Sequence, residues 1–308
     1  FRTYGVLTRE AGFYFYFSRK IRELRESGHE GTARAYASSL RSMQRYLGKK
    51  DFPFIKLSSR IISDYQGKLL ASGICDNTIG FYLHNIKALF RKGCREMGLE
   101  LPCPFRDISI KTEKTLKRSL DPVVIKTLSA IELEKDSPLS LARDIFMFSF
   151  YTRGMSFVDI ALLKKRHVFP GEICYRRHKT DQLMRVGINK EISRILERYK
   201  NVPGEYIFPL FPAERDPYAG YRNAYHRIRY SLGKISRVIG LEFPLRLHAA
   251  RHSWATIAKV NGASVHVIGE CLGHTSEKTT RIYLKELDHS ALDAVNNQVA
   301  DFILAVDD

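Results

Sequence analysis

Residues 245–254 read LRLHAARHSW, and residues 272–287 read LGHTSEKTTRIYLKEL. The first stretch sets His248, Arg251 and His252 within five positions of one another, beside the only tryptophan. The second carries His274 and, nine residues further on, Tyr283. Side chains three and four apart share a helix face, so a helix starting near His248 gathers His248, Arg251 and His252 on neighbouring turns. The turn VNGAS (260–264) and the segment VHVIGECLGH (265–274) then lead to the helix that bears Tyr283. Each residue alone has a structural explanation. A single histidine is usually a satisfied polar group, Arg251 can cap a helix, and a core tyrosine needs only a partner for its hydroxyl. Together they form a more specific arrangement: His-x-x-Arg-His-Ser-x-Ala, then Leu-Gly-His, then Thr-x-x-Tyr.

The bulk properties agree with a polyanionic partner. The chain has 308 residues, long for one small domain, so two domains are expected. Lys and Arg total 50 against 33 Asp and Glu, a net charge of +17 that favours nucleic acid over an anionic membrane surface. Five cysteines at 75, 94, 103, 174 and 271 never form C-x-x-C, which argues against a disulfide framework or a zinc site and for a reducing compartment. No run approaches the ~20 apolar residues of a membrane span, so the protein is expected in the cytoplasm. The chain opens on Phe1 rather than Met, as a fragment or a trimmed chain does.

Working towards the N-terminus, the period changes twice. EICYRRHKTDQLMRVGI (172–188) alternates, with Ile173 and Tyr175 on one arm and Met184, Val186 and Ile188 on the other. This is a β-hairpin whose tip carries Lys179-Thr180-Asp181-Gln182. SPLSLARDIFMFSFYTRGMSFVDIALL (137–163) reads as a buried helix, a turn at Gly154 and a short helix, preceded by the cap pair Asp121-Pro122. Residues 103–118 read as a linker: prolines at 102 and 104 break the periodicity, and the chain then runs polar and basic. Residues 1–102 hold four helical patterns, the first with apolar positions at 13, 17, 21 and 24. Their outward faces carry Arg19, Lys20, Arg34, Arg41, Arg45, Lys87 and Arg91; Arg34, Arg41, Arg45, Lys87 and Arg91 are expected to face DNA. The expected fold is mostly α with a small antiparallel β hairpin or sheet.

The motif set resembles that of the tyrosine recombinases, also called the phage integrase family. The wording RGMSFVDIALLKK (153–165) is similar to the branch found in Bacteroides-type mobile elements and invertible-DNA systems. The resemblance implies a SAM-like N-terminal bundle clamping DNA (1–102), the linker (103–118), an α+β catalytic domain (119–290) and a tail (291–308). Val295, Val299, Phe302 and Ile303 form an apolar stripe on that tail, which packs on its own domain or docks in a neighbouring protomer. It implies a bacterial site-specific recombinase that cleaves and rejoins double-stranded DNA through a 3′-phosphotyrosine, as a homotetramer on inverted-repeat sites, aided by accessory DNA-bending proteins. Tyr283 is then the nucleophile. Arg251, His248 and His274 hold the phosphate, and Lys179 protonates the leaving oxygen; His252 is assigned a structural part. Neither cofactor nor metal is expected, since no Walker loop or paired carboxylates accompany the histidines.

One position departs from the family. Its first arginine lies in Gly-x-Arg-x-x-Glu; with Asp159 as the acid, Ser156 occupies that arginine's place. Arg153 in the turn and Arg177 on the hairpin are the candidates to replace it, and Arg153 is preferred. Two other functions compete. Residues 254–283 scan as a helix-turn-helix of a transcription regulator, which leaves Lys179, Arg251 and Tyr283 without a joint purpose. A type IB topoisomerase-like relaxing enzyme shares the chemistry, but the separate N-terminal helical domain favours the recombinase.

Overall fold

Burying one face of each amphipathic helix builds the first unit, Phe1–Thr115. The computed structural model describes residues 12–111, 113, 119–211, 217–274 and 276–284. In it α1 runs Phe13–Glu26, α2 Glu30–Leu47, α3 Ser59–Ala71 and α4 Asp76–Glu96. Phe13, Phe17 and Ile21 recur every four residues and all three are buried. Met43, Tyr65, Leu69, Leu83, Ile86 and Phe90 from the other helices close over them. Phe54, on the short 3₁₀ turn Phe54–Lys56, meets Phe13 edge-on at 4.9 Å between ring centroids. The Tyr65 hydroxyl, buried here, donates to Ser42 Oγ at 2.6 Å, so that hydroxyl is satisfied.

Several expectations for this unit are corrected. Lys20 does not face outward: its amine sits 2.8 Å from Glu96 and 2.7 Å from Glu23, and its stem covers the apolar face. Arg34 is tied to Glu30 at 2.8 Å, one turn back along α2. Lys87 is half-buried, with its amine 6.0 Å from the centre of the Phe105 ring. Arg41, Arg45 and Arg91 are exposed. Residues 103–111, read as linker, pack on the helices instead. Phe105 is buried, Gln66 donates to the Ser109 carbonyl at 2.9 Å, and Asn77 exchanges two hydrogen bonds with the Glu113 backbone. Polar composition hid one large aromatic anchor.

The second unit, Leu116–Asp308, is built around α6 (Pro138–Tyr151). Ile145, Phe146, Met147 and Phe148 are all buried, so this helix is apolar on nearly every side and must be central. Before it lies α5 (Pro122–Ala130), where Asp121 accepts from the Val123 amide at 2.8 Å. After it come α7 (Phe157–Ala161), a sheet, α8 (Lys190–Arg198), α9 (Pro217–Val238), α10 (Leu247–Val260), α11 (Val265–Leu272) and α12 (Glu277–Tyr283). Both α9 and α10 pack against α6. The one carboxylate buried in α6, Asp144, accepts from Arg143, Arg198 and the Tyr199 hydroxyl at 2.6, 2.7 and 2.9 Å.

The expected hairpin is present as β2 (Glu172–Arg176) and β3 (Leu183–Gly187), with Tyr175 opposite Met184 and Ile173 opposite Val186. These four face the core. A two-residue strand, β1 (Val168–Phe169), pairs antiparallel with β2 and makes the sheet three-stranded in the order β1-β2-β3. It is too short for alternation to reveal. The tail with Val295, Val299, Phe302 and Ile303 lies outside the described residues.

Candidate active site

The site grows from Arg251, on the second turn of α10 and only 4% exposed. One Nη donates to the Gly154 carbonyl at 2.7 Å; the other donates to the Leu272 carbonyl and lies 3.0 Å from His274 Nε2. A guanidinium cannot accept, so His274 accepts through Nε2 and carries its proton on Nδ1. Two backbone carbonyls from distant segments thus set the plane of the arginine fork.

Both carbonyls are delivered by left-handed glycine turns. Gly154 has φ +74°, and a Cβ there would stand 2.6 Å from Arg251 Cγ. Only glycine lets the turn between α6 and α7 approach α10 so closely. Ser149 pins that turn by donating to the Met155 carbonyl at 2.7 Å. Arg153, in the same turn, adopts φ +60°, uncommon for a residue with a side chain, and is half-buried. Gly273 has φ +63°, and a Cβ there would meet Arg177 Cδ at 2.8 Å and Met184 Sδ at 2.9 Å. The motif Leu272-Gly273-His274 is therefore used at every position. Leu272 gives its carbonyl to Arg251, Gly273 gives its carbonyl to Arg177, and His274 gives its ring to Arg251.

The hairpin reaches the same place. Arg177, just past β2, is buried, and Lys179 is exposed at the tip. Asp159 anchors this end: its carboxylate accepts from Ser156 Oγ at 2.6 Å and from the His178 amide at 2.8 Å. Ser156 also caps α7. Ser156 is therefore a structural hydroxyl. His248 is exposed on the first turn of α10, its ring 4.7 Å from that of His252 in an edge-to-face pair.

Electrostatics follow from this crowding. Burial first, then Arg251, Arg177, Lys179 and His248, push the His274 pKa down from 6.5 to about 4. His274 is a neutral imidazole at neutral pH. Tyr175 is pushed upward, chiefly by burial and then by Asp159, and stays protonated. Among the expected site residues, Arg251, His274 and Arg177 are in contact or share the Gly273 turn, Lys179 and His248 act on His274 electrostatically, and Arg153 flanks Gly154. Tyr283 closes α12, and its side chain lies outside the described residues. Sequence reasoning assigned no part to Thr280. Thr280 stood in the quoted Thr-x-x-Tyr pattern, and its 3.0 Å contact with His274 Nδ1 needed the fold.

Residues 119–289 match the model of the phage integrase family, and residues 12–105 match that of the phage integrase SAM-like domain. The chain belongs to the phage integrase family. It is a tyrosine recombinase, an enzyme of site-specific DNA recombination. A relative in Shewanella oneidensis, tyrosine recombinase XerC, is 26% identical over 226 residues, covering 70% of each chain. In fold, the recombinase is similar to the Tn1549 transposon integrase in complex with transposon right end DNA. The TM-score is 0.68 at 15% identity, over 94% of this chain and all of the other. It is likewise similar to a lambda integrase tetramer bound to a Holliday junction, with a TM-score of 0.64 at 16% identity over 90% and 78% of the two chains. Among the described residues no helix is long and apolar enough to cross a membrane.

Proposed function

We propose that this recombinase cleaves double-stranded DNA through Tyr283. The phenol oxygen attacks phosphorus, the bond to the 5′-oxygen breaks, and a 3′-phosphotyrosine keeps the phosphodiester energy for rejoining. The supporting observation is the buried Arg251, whose fork is oriented by the Gly154 and Leu272 carbonyls beside His274. Arg251 holds non-bridging oxygens, for which a planar fork is suited. His248 and His274 donate to the same phosphate, and His248 takes up the phenol proton. Lys179 delivers a proton to the leaving 5′-oxygen. For the missing first arginine we assign Arg177 ahead of Arg153, reversing the preference drawn from motif placement. Arg177 shares the Gly273 turn with the cradle and acts on His274, whereas Arg153 sits at φ +60° in the turn before Gly154 and is not among the groups that shift His274.

The helical unit clamps the duplex through exposed Arg41, Arg45 and Arg91 on α2 and α4, with Arg34 and Lys87 contributing less because both are engaged internally. Four protomers act on two inverted-repeat sites, with DNA-bending proteins assisting, in integration or inversion of a mobile element in the bacterial cytoplasm. The lambda integrase tetramer's likeness in fold supports the assembly. A nicked suicide duplex carrying the site tests the chemistry. Wild type accumulates a covalent adduct, and Tyr283→Phe binds the same duplex without forming one. An adduct that persists in Tyr283→Phe assigns the nucleophile elsewhere.

A further inference from the structure

His274 is held from two sides. Arg251 addresses Nε2 at 3.0 Å, and Thr280 Oγ1 lies 3.0 Å from Nδ1. Because Nε2 accepts, Nδ1 carries the proton and Thr280 accepts it. Thr280 is fully buried, and its place is prepared. Gly269 on α11 has no side chain where a Cβ would stand 2.9 Å from Thr280 Oγ1, and its carbonyl accepts from the His274 amide at 2.9 Å. Thr280 also lies three residues before Tyr283 on α12, within the same helical turn. The hydroxyl that orients the imidazole therefore belongs to the helix that carries the nucleophile.

We propose that Thr280 is a positioning residue: by accepting from His274 Nδ1 it directs Nε2 to the phosphate, and it couples the seating of the tyrosine's helix to the assembly of the cradle. This inference rests on the reading of Tyr283 and His274 given above. As described, Nε2 accepts from Arg251 and has no hydrogen to donate. When a phosphate takes over the arginine's attention, its negative charge opposes Arg251, Arg177, Lys179 and His248, the charged and titratable groups that act on His274. His274 then takes one proton from solvent at Nε2. The resulting imidazolium donates at both nitrogens, Nε2 to the phosphate and Nδ1 still to Thr280. Without the Thr280 acceptor, the Nδ1 N–H loses this hydrogen bond, and the charged form is disfavoured. If α12 leaves its seat, Thr280 leaves with it, and a displaced tyrosine meets a cradle whose histidine is no longer aligned.

Thr280→Val keeps the shape and removes the acceptor, whereas Thr280→Ser keeps the acceptor and removes a methyl group. Two readouts on the full chain separate the possibilities: the ¹⁵N shifts of the His274 ring without DNA, and the rate of covalent adduct formation on the suicide duplex across pH 5–9. Wild type and Thr280→Ser are expected to show Nδ1–H and similar rates. Thr280→Val is expected to lose the fixed tautomer and cleave about tenfold more slowly, with DNA affinity within twofold and its alkaline rate limb moved to lower pH. Should Thr280→Val fold poorly, Thr280→Ala provides the same contrast with Thr280→Ser. Thr280→Val with wild-type tautomer and rate overturns the proposal, as does Thr280→Ser cleaving as slowly as Thr280→Val. If wild type forms no adduct at all, the cleavage reading fails instead, and the ring shifts still decide whether Thr280 fixes His274.

Discussion

Lys20 in the helical unit and Arg177 in the catalytic unit are both buried cations, 7% and 8% exposed, yet they are held in opposite ways. Lys20 lies against two carboxylates, Glu96 and Glu23, so its charge is cancelled where it sits. Arg177 donates to the Gly273 carbonyl and forms no ion pair among the described residues. A carbonyl dipole orients a guanidinium without cancelling it, and desolvating an uncancelled charge is costly. A fold that tolerates this cost beside Arg251 holds positive potential ready for an anion. Lys20 belongs to the scaffold, and Arg177 to the site that we propose.

The largest test of this contrast exchanges each cation for methionine. Arg177→Met should slow adduct formation by about a hundredfold, the scale of one lost transition-state donor, while its melting temperature holds or rises. Lys20→Met should do the reverse. Urea denaturation should show a loss of about 2 kcal/mol, below the fully buried range because Glu96 and Glu23 keep solvent contact, with cleavage of bound DNA unchanged. Equal destabilisation by both substitutions would make Arg177 scaffold as well.

Next in size come two glycines with positive φ, one from each unit. Gly154→Ala adds a methyl group 2.6 Å from Arg251 Cγ, whereas Gly48→Ala at φ +95° meets nothing within 4 Å. Both incur a backbone cost of about 1 kcal/mol. Only Gly154→Ala should add a packing cost of about 1–3 kcal/mol and lower cleavage, by displacing the arginine fork. Thermal unfolding and adduct formation measured side by side decide this.

A smaller effect separates the units by pH. His274 binds its proton near 4 when folded and near its ordinary 6.5 when unfolded, so the unfolded chain binds more protons between these values. Stability conferred by neutral His274 is present above 6.5 and is lost as pH falls towards 4. His274→Gln should flatten the stability profile in that window. An unchanged slope would mean that another group titrates there.

The smallest effects are expected at the surface. Arg41→Ala and Arg45→Ala should change stability by less than about 0.5 kcal/mol, while each lowers the salt slope of DNA binding by about one contact. Arg34→Ala, whose charge is already shared with Glu30, should lower it less.

The helices of the first unit were legible because the four-residue recurrence of Phe13, Phe17 and Ile21 needs no partner to be recognised. The hairpin was legible from alternation, and the grouping of His248, Arg251 and His252 from local spacing on α10. The strand Val168–Phe169 was not, because two residues carry no period. Nor was the packing of 103–111, where polar neighbours concealed Phe105.

The sequence by itself determined which residue types could meet a phosphate, since motif and helical period are properties of neighbours along the chain. Only the tertiary structure decided that Lys20 is cancelled and Arg177 is not, that Ser156 anchors Asp159 instead of leaving room for a cation, and that Thr280 holds His274. Those outcomes depend on contacts between segments as far apart as Arg177 and Gly273, and on burial, which raises or cancels the value of a charge. Neither is written in local spacing.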